Sequence, residues 1–450
     1  MSRPSEEFEL EEDQVALGTR ARAGRALRSL AVDITPLKRY RDYRLLFEGL
    51  FVSEIGHQIT HVAILIQVYA ITHSTLAVGL VGLAALVPLA LSTIGFAWIA
   101  DAFDRRRVLA MIQVGLAFGS GVLLVNALSP HPSLVVIYVA VGITAFLGGI
   151  DSPTRTAAVA RIVGPDQLTN AVALNQVLWN TAMVAGPALG GLLAAKSFPL
   201  AYGVDAATYG ATFLAAILMR PLPPAAGDVA PTRGMKAIRE GFAYLKGRRV
   251  IQTTFSVDLI AMIFGMPRAL FPVLALTQFH LPPKEAAHLV GYMLSAVGAG
   301  ALIGALTTGW VQRVRHQGRA VLWAVTVWGA AIASFGLVGD HIWLALICLA
   351  VAGGADVISA VFRGTILQLA VPDSLRGRLN GIHILVVTGG PRLGDVEAGV
   401  VARVWSAFVS VVSGGLLCIA GVGVIALLVP EFARYHAGEP DEPVRKESAA

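Results

Sequence analysis

Charged residues are scarce in this chain of 450 residues, since Asp, Glu, Lys and Arg together make up 14% of it. Soluble domains carry about 25% charged residues, whereas 55% of this chain is hydrophobic and its mean hydropathy is +0.68. This balance excludes an ordinary soluble protein and predicts a membrane protein. The net charge of +6 does not indicate nucleic-acid binding, because the arginines fall in short clusters between apolar segments.

Cysteine is rarer still, with Cys348 and Cys418 each inside an apolar run. Two isolated thiols support neither a disulfide framework nor a metal site. The sequence also lacks a Walker-type glycine loop with its lysine, which argues against direct use of ATP. No Ser/His/Asp or paired-carboxylate arrangement indicates an enzyme, and no cofactor is expected. No cleavable signal follows Met1, so the first apolar helix is predicted to serve as the targeting signal.

Long apolar runs, in contrast, are abundant. Segments of about 20 residues are long enough to cross a hydrocarbon core of about 30 Å. We place twelve of them at residues 45–71, 76–100, 107–129, 134–154, 168–195, 201–219, 250–278, 288–312, 320–338, 342–364, 379–402 and 406–430. The predicted fold class is therefore an all-α membrane protein with twelve transmembrane helices.

The distribution of basic residues supports this count. Alternate loops carry the arginines, whereas the other loops hold little that is basic beyond Lys196, Lys284 and Arg403. Arginine-rich loops stay on the cytoplasmic side, so we expect a multi-pass protein of a bacterial-type inner (plasma) membrane with both termini cytoplasmic. The predicted parts are a cytoplasmic tail (1–40), a six-helix bundle (41–219), a linker (220–249), a second bundle (250–432) and a cytoplasmic tail (433–450).

Within the linker, apolar residues recur at helical spacing at Met235, Ile238, Phe242 and Leu245. This pattern predicts an interfacial helix that joins the two bundles. A regulatory site is the alternative interpretation of the same stretch.

The two bundles are related by an internal repeat. The charged hinge Ile94–Leu109 has a weaker copy at Thr308–Leu322, with Trp310 lying 212 residues after Trp98. Further features recur at offsets of 204 to 208: Arg155 as Arg363, Pro165-Asp166 as Pro372-Asp373, and Gly186-Pro187 with Gly190 as Gly390-Pro391 with Gly394. Two halves in the same orientation, each with six spans, predict a parallel-repeat transporter with a cavity between pseudo-symmetric bundles.

The hinge resembles the cytoplasmic motif of the major facilitator superfamily, which has the form G-x-x-x-D-R-x-x-R-R. Here Asp101, Arg105 and Arg106 match, while Ala97 and Ala102 replace the glycine and the first basic residue. Gly186-Pro187 followed by Gly190-Gly191 resembles the helix-5 signature of drug-exporting members. This resemblance implies the superfamily fold and transport by alternating access.

Longer stretches resemble the branch of that superfamily that holds the enterobactin exporter and the macrolide efflux proteins. They are DYRLLFEGLFVSEIG at 42–56, VDAATY at 204–209, VDLIAMIFGMPRALFP at 257–272, GALTTG at 304–309 and VPDSLRGRLNG at 371–381. The resemblance extends over about residues 40–430 and implies export of a small molecule without specifying which.

Ionisable residues in the membrane are costly, so each one needs a partner or a purpose. Glu54, His57, Gln58 and His61 share one face of the first helix. That face predicts a cavity lining, with Glu54 and His57 as proton-coupling candidates and Gln58 and His61 as substrate contacts. The alternatives are that Glu54 pairs with an arginine or lies at the cytoplasmic mouth. Two histidines alone do not predict a metal site.

Charges recur in the second half. Asp258 and Asp395 are further proton-coupling candidates, and Arg268 and Arg392 are candidates for binding an acidic or catechol-like substrate, with structural pairing as the alternative. Asp205 and Asp356 are interpreted as structural, with proton coupling as the alternative. A network at the cytoplasmic face is predicted to hold the halves together when the cavity faces outward. Its members are Asp101, Arg105, Arg106, Asp151, Arg155, Arg161, Arg363 and Arg376.

The sequence thus predicts a secondary transporter in the lipid bilayer that acts as a monomer on a small-molecule substrate. Proton-coupled export of a siderophore or an amphiphilic drug is the leading hypothesis. Uptake or uncoupled transport of a small organic solute is the main alternative. A non-transporting membrane sensor is a third, and the absence of a large soluble domain argues against it.

Overall fold

The computed structural model describes residues 33–96, 99–223, 239, 243–371 and 373–436. Almost all of these residues are helical. The helices are α1 Thr35–Arg39, α2 Arg41–Thr72, α3 Thr75–Gly95, α4 Ile99–Ala102, α5 Arg105–Leu128, α6 Leu134–Lys196, α7 Phe198–Leu218, α8 Arg249–Phe264, α9 Phe271–Thr277, α10 Pro283–Leu306, α11 Gln317–Leu337, α12 Ile342–Ala370, α13 Asp373–Val404, α14 Ala407–Leu428 and α15 Pro430–Arg434. Two 3₁₀ helices, Arg268–Leu270 and Thr308–Arg313, complete the set.

The helix lengths are consistent with the predicted twelve crossings. Within the described residues, ten helical segments are long and apolar enough to span a membrane. One of the ten, α6, is 63 residues long and breaks at Gly164, so it supplies two crossings. The twelfth is α13, whose 32 residues include Arg392, Asp395 and Glu397 and are correspondingly less apolar. The all-α membrane fold expected from the apolar runs is confirmed.

Gly164 divides α6 into α6a (residues 134–163) and α6b (residues 165–196). Its backbone has φ 70° and ψ 176°, a conformation that only glycine adopts without strain. Pro165 follows, and proline lacks the N–H group that would continue the helical hydrogen bonding. The sequence predicted these two crossings at 134–154 and 168–195, whereas the helices continue almost to the break.

Replacing Gly164 by alanine is expected to destabilise the protein by about 1–3 kcal/mol, because the β-carbon disfavours this backbone conformation. The unfolding temperature of the purified protein measures the effect. Gly148→Ala is the matched control, since Gly148 lies in the regular part of α6a and no atom lies within 4 Å of an added β-carbon there. Equal stability of the two variants would contradict the assigned role of Gly164.

The seventh crossing is interrupted, although the sequence predicted one segment at 250–278. Helix α8 ends at Phe264, and the chain resumes as a 3₁₀ helix at Arg268 and then as α9. Pro267 precedes the 3₁₀ helix, which explains why regular hydrogen bonding stops here. The indole Nε1–H of Trp328 on α11 donates to the carbonyl oxygen of Gly265 at 3.0 Å. This bond satisfies a carbonyl that the interruption leaves free.

The repeated glycines make equivalent packing contacts in the two halves, α2–α7 and α8–α14. In the first half, a β-carbon on Gly186 or Gly190 of α6b would overlap α2 at Gln58 or Val62. In the second half, Gly390 and Gly394 of α13 meet α8 in the same way, at Met262. Small residues let membrane helices approach closely, and the repeat read from the sequence therefore places the same close crossing in each half.

The two halves pack against each other near one end of the bundle, which we call the closed end. Helix α3 packs along α13, where Thr75 Oγ1 donates to the carbonyl oxygen of Gly399 at 3.0 Å. Helix α6b packs along α10, where Ser295 Oγ donates to the carbonyl oxygen of Val184 at 2.7 Å. Gly191 and Gly291 face each other across this second contact.

The opposite end, which we call the open end, carries α1, α4, the 3₁₀ helix Thr308–Arg313 and α15. Helix α4 packs on α5 and α6 of its own half, and the 3₁₀ helix packs on α10 and α12 of its own half. The halves therefore converge at the closed end and carry separate caps at the open end.

Most of the predicted linker helix, including Met235, Ile238 and Phe242, lies outside the described residues, as does most of each predicted tail. The described end of the linker shows Leu245 buried and the Arg248 guanidinium 4.0 Å from the Tyr244 ring centroid. Near the carboxyl terminus, Phe432 and Tyr435 are buried against the second half.

Candidate functional site

The polar face of α2 carries both buried and exposed side chains. Glu54 and Gln58 are buried, with 8% of each residue exposed, and Gln58 Nε2 donates to Glu54 Oε1 at 3.4 Å. His57 is exposed, and its Nδ1 lies 3.3 Å from the hydroxyl oxygen of Tyr209 on α7. Within the described residues, no group of three metal-ligating side chains occurs here or elsewhere.

Arg155 is the basic group next to these residues. It forms an ion pair with Asp151, one turn earlier on α6a, and Gln113 Nε2 of α5 donates to Asp151 Oδ1 at 3.2 Å. The Arg155 guanidinium also lies within electrostatic range of Glu54 and Tyr209. Glu54 therefore has an arginine nearby, as one of the two alternatives predicted, although that arginine is ion-paired to Asp151.

Asp205 on α7 is the most deeply buried carboxylate of the first half, with 1% exposed. Its Oδ2 accepts a hydrogen bond of 2.6 Å from Ser120 Oγ on α5. Its Oδ1 faces Gly56 of α2, where an added β-carbon would lie 2.8 Å away. Glu54 and His57 are both within its electrostatic range. Sequence reasoning took Asp205 as structural, and the structure places it beside the predicted coupling residues.

In the second half, Asp258 and Arg363 form a fully buried ion pair. The Arg363 Nη2 atom lies 2.8 Å from Asp258 Oδ1, and 2% of each side chain is exposed. Arg363 also lies 3.9 Å from Asp356 and donates to Ser359 Oγ at 2.8 Å. The sequence suggested Asp258 for proton coupling and Arg363 for a gate between the halves. The structure instead pairs them with each other inside one half.

Three of the four predicted substrate contacts, His61, Arg268 and Arg392, share one region. Although His61 belongs to the first half, it lies within electrostatic range of both arginines of the second half. Asp395 lies beside the same two arginines, and Arg268 also interacts with Asp356. The predicted cavity residues therefore converge from both halves, with an acidic group among them.

The charged hinge at the open end makes its described contacts inside the first half. Arg106 Nη2 donates to the carbonyl oxygen of Ile217 at 2.6 Å, at the carboxyl end of α7. Asp104 Oδ1 accepts from the backbone N–H of Leu222 at 3.1 Å, and Arg105 is buried. A cation at the end of a helix is favourable because free carbonyls and the helix dipole attract it. The side chains of Asp101 and Arg376 lie outside the described residues.

Charge balance distinguishes the centres of the two halves. Around the centre of the second half, Asp258, Asp356 and Asp395 lie near Arg268, Arg363 and Arg392, and Glu397 is a fourth carboxylate that is partly buried. Around the centre of the first half, Glu54 lies near Arg155, which is ion-paired to Asp151, and Asp205 lies near Glu54 and His57. An ionised carboxylate without a bonded cation is costly in a low-dielectric interior, so Glu54 and Asp205 of the first half are suited to bind protons.

Sequence reasoning missed several polar partners at these sites. Tyr209 lies four residues after Asp205, so helical spacing within VDAATY could have placed both on one face. Ser120, Gln113 and Met183 carry no such signal, because they meet their partners only through packing between helices.

Comparison with known proteins connects these sites to a family. Residues 32–444 match the family described as transmembrane secretion effector. The chain belongs to this family, a branch of the major facilitator superfamily. The enterobactin exporter EntS of Citrobacter koseri is 29% identical over 419 residues, which cover 92% of this chain and 97% of EntS. EntS of Shigella boydii is 28% identical over 418 residues with the same coverage.

The fold of this transmembrane secretion effector also resembles solved transporters. A single-site mutant of the nucleoside transporter NupG superposes with a TM-score of 0.70 at 15% identity, over 87% of this chain and 98% of that one. The predicted superfamily and branch are therefore confirmed. The protein is a membrane transporter rather than an enzyme, spans the inner membrane several times, and acts on a small-molecule substrate.

Proposed function

We propose that this transmembrane secretion effector exports a siderophore or an amphiphilic drug from the cytoplasm in exchange for protons, working as a monomer by alternating access. The observation that carries the proposal is the convergence of His61, Arg268 and Arg392 from opposite halves, beside a cluster of carboxylates with too few cations. A substrate held between the halves can be exposed to one side and then the other as the halves rock.

The open end is assigned to the cytoplasm because arginine-rich loops remain on that side. It carries Arg105, Arg106, Arg107, Arg248, Arg249, Arg313, Arg315 and Arg319. The closed end carries Lys196, Lys284 and Arg403. Both termini would then be cytoplasmic, and the described conformation would face inward. In the opposite state the arginines of the open end would come together with acidic partners as the predicted gate.

A siderophore is the favoured substrate. Two arginines near His61 suit an acidic or catecholate group, since guanidinium groups bind anionic oxygens in fixed geometry. The relatives that align with this chain over 97% of their own length are named enterobactin exporters. An amphiphilic drug remains the second candidate because the region also contains the apolar side chain of Met183, which contacts Gln58.

Transport by purified protein in liposomes tests the proposal. Labelling first establishes which way the protein is inserted in the liposome membrane. Enterobactin should then move against its gradient when a proton gradient is imposed, and a protonophore should abolish this movement. Glu54→Gln should also abolish it, because the variant cannot bind the coupling proton. Glu48→Gln is the matched control, since Glu48 is an exposed glutamate on the same helix near the open end.

Each other outcome has a defined meaning. Movement that survives the protonophore would show an uncoupled facilitator, and movement in the opposite direction would show an importer. Full gradient-driven export by Glu54→Gln would exclude Glu54 as a required proton carrier. Export of a lipophilic cationic dye instead of enterobactin would favour the drug substrate.

A further inference from the structure

We propose that Asp205 is a second proton-binding group of the first half, coupled to Glu54 across His57 and Tyr209. This inference rests on the proposed function in one respect: it assigns a second proton to the exchange. From the sequence, Asp205 was interpreted as structural, with proton coupling as the alternative, and the structure shows it buried among the predicted coupling residues.

The surroundings of Asp205 contain no cation that bonds to it in the described residues. Ser120 Oγ of α5 donates to Oδ2, while Oδ1 has no partner in hydrogen-bond geometry, although the Thr60 hydroxyl of α2 is also a neighbour of the carboxylate. The α2 backbone can approach Oδ1 closely because residue 56 is glycine. Any side chain at this position would collide with Asp205 and Thr208. An oxygen that is buried and unbonded costs free energy when the group is ionised, and protonation removes that cost.

The groups that face Asp205 from the packed helices can be named. Helix α2 contributes Glu54 and His57, α7 itself contributes Tyr209, and α5 contributes Ser120. Arg155 of α6a acts on Glu54 and Tyr209. Negative charge on Glu54 opposes negative charge on Asp205. His57, whose Nδ1 lies 3.3 Å from the Tyr209 hydroxyl oxygen, is exposed and lies within electrostatic range of Asp205.

The proposed step is a reversible proton transfer between water and a carboxylate. Each ionised carboxylate takes one proton from water and becomes a neutral carboxylic acid, and release reverses that reaction. A full cycle can therefore exchange up to two protons in the first half, one at Glu54 and one at Asp205.

Infrared spectroscopy during a pH titration of purified protein tests this without any substrate. The wild type is expected to show the carbonyl stretch of protonated carboxylic acids growing as pH falls through the range in which the protein stays folded. Asp205→Asn should remove one component of this signal, and Glu54→Gln should remove another. The asparagine side chain retains an oxygen that can accept from Ser120, so the fold should be preserved.

A second variant covers the case in which Asp205→Asn does not fold. Ser120→Ala keeps the carboxyl group but removes its hydrogen bond, so the Asp205 component should persist at a shifted frequency. An unchanged carboxylic-acid signal in Asp205→Asn, or an unshifted signal in Ser120→Ala, would overturn the proposal. Failure of the wild type to export enterobactin would count against the proposed function alone, because the titration contains no substrate.

Transport in the liposome assay extends the test. Asp205→Asn should still exchange labelled for unlabelled enterobactin, while its gradient-driven accumulation falls because one proton is lost from the cycle. Asp205 would take no part in coupling if the variant accumulated as much enterobactin as the wild type and released the same number of protons per substrate bound.

Discussion

Replacing Arg363 by methionine is expected to destabilise the protein by about 3–5 kcal/mol, the cost of leaving a buried charge without its partner. Arg363 is 2% exposed and lies 2.8 Å from Asp258, whose side chain is equally buried. Asp356, 3.9 Å from Arg363, would lose the same neighbour. The unfolding temperature in detergent and the amount of folded protein in the membrane should both fall sharply.

A double substitution separates the loss of the pair from the loss of packing. Asp258→Leu combined with Arg363→Met removes both charges, and Asp356 keeps Arg268 within range. Buried ion pairs can often be replaced by apolar residues without loss, so the double variant should be more stable than Arg363→Met alone. Arg403→Met is the control at an exposed arginine. If Arg363→Met were as stable as Arg403→Met, the pair would not have the structural role assigned to it.

Replacing Gly291 by leucine is expected to abolish transport by preventing the closed end from closing. A β-carbon at Gly291 would lie 2.5 Å from the carbonyl oxygen of Pro187 and 3.0 Å from Gly191 Cα on the other half. Side-chain β-carbons do not approach backbone so closely, so α10 and α6b must separate. The two states of an alternating-access transporter are close in free energy, and this strain would shift the equilibrium towards the state open at that end.

Labelling of an introduced cysteine measures the shift. Thr75→Cys places a thiol at the α3–α13 contact of the closed end, where Thr75 bonds to Gly399. Reaction with a membrane-impermeant maleimide added outside should increase when Gly291→Leu is present. Gly203→Leu is the matched control, because no atom lies within 4 Å of a β-carbon at Gly203. Unchanged labelling and unchanged transport in Gly291→Leu would rule out this contact as the closing surface.

The crossings were predictable because each depends on a local property of the chain. An apolar run of about 20 residues is favourable across the bilayer wherever it lies in the fold, and arginine clusters indicate which loops stay inside. The repeat was also visible, since Gly186 and Gly390 keep their spacing to the prolines that follow. The interruption at Gly265 was not predicted, although Pro267 marked its position, because proline in a membrane helix is compatible with either a bend or a break.

The partners of the charged residues were not predictable in the same way. Asp258 and Arg363 are separated by 105 positions and belong to the first and fourth crossings of their half. The sequence showed that each needs a partner, but several oppositely charged residues were available to both. The choice depends on which helix faces meet, and packing between crossings fixes those faces.

The sequence alone determined that this protein spans the membrane, that it is built from two similar halves, and that ionisable groups lie within each half. These properties could be predicted because the length of an apolar run, the spacing of residues and the position of charges are all local features of the sequence. Only the tertiary structure decided that Arg363 forms an ion pair with Asp258. It also decided that His61 lies near Arg268 and Arg392, and that Asp205 lies near Glu54 and His57. The reason is physical, since the electrostatic energy of a charge in a membrane protein depends on distances across helices that sequence separation does not fix.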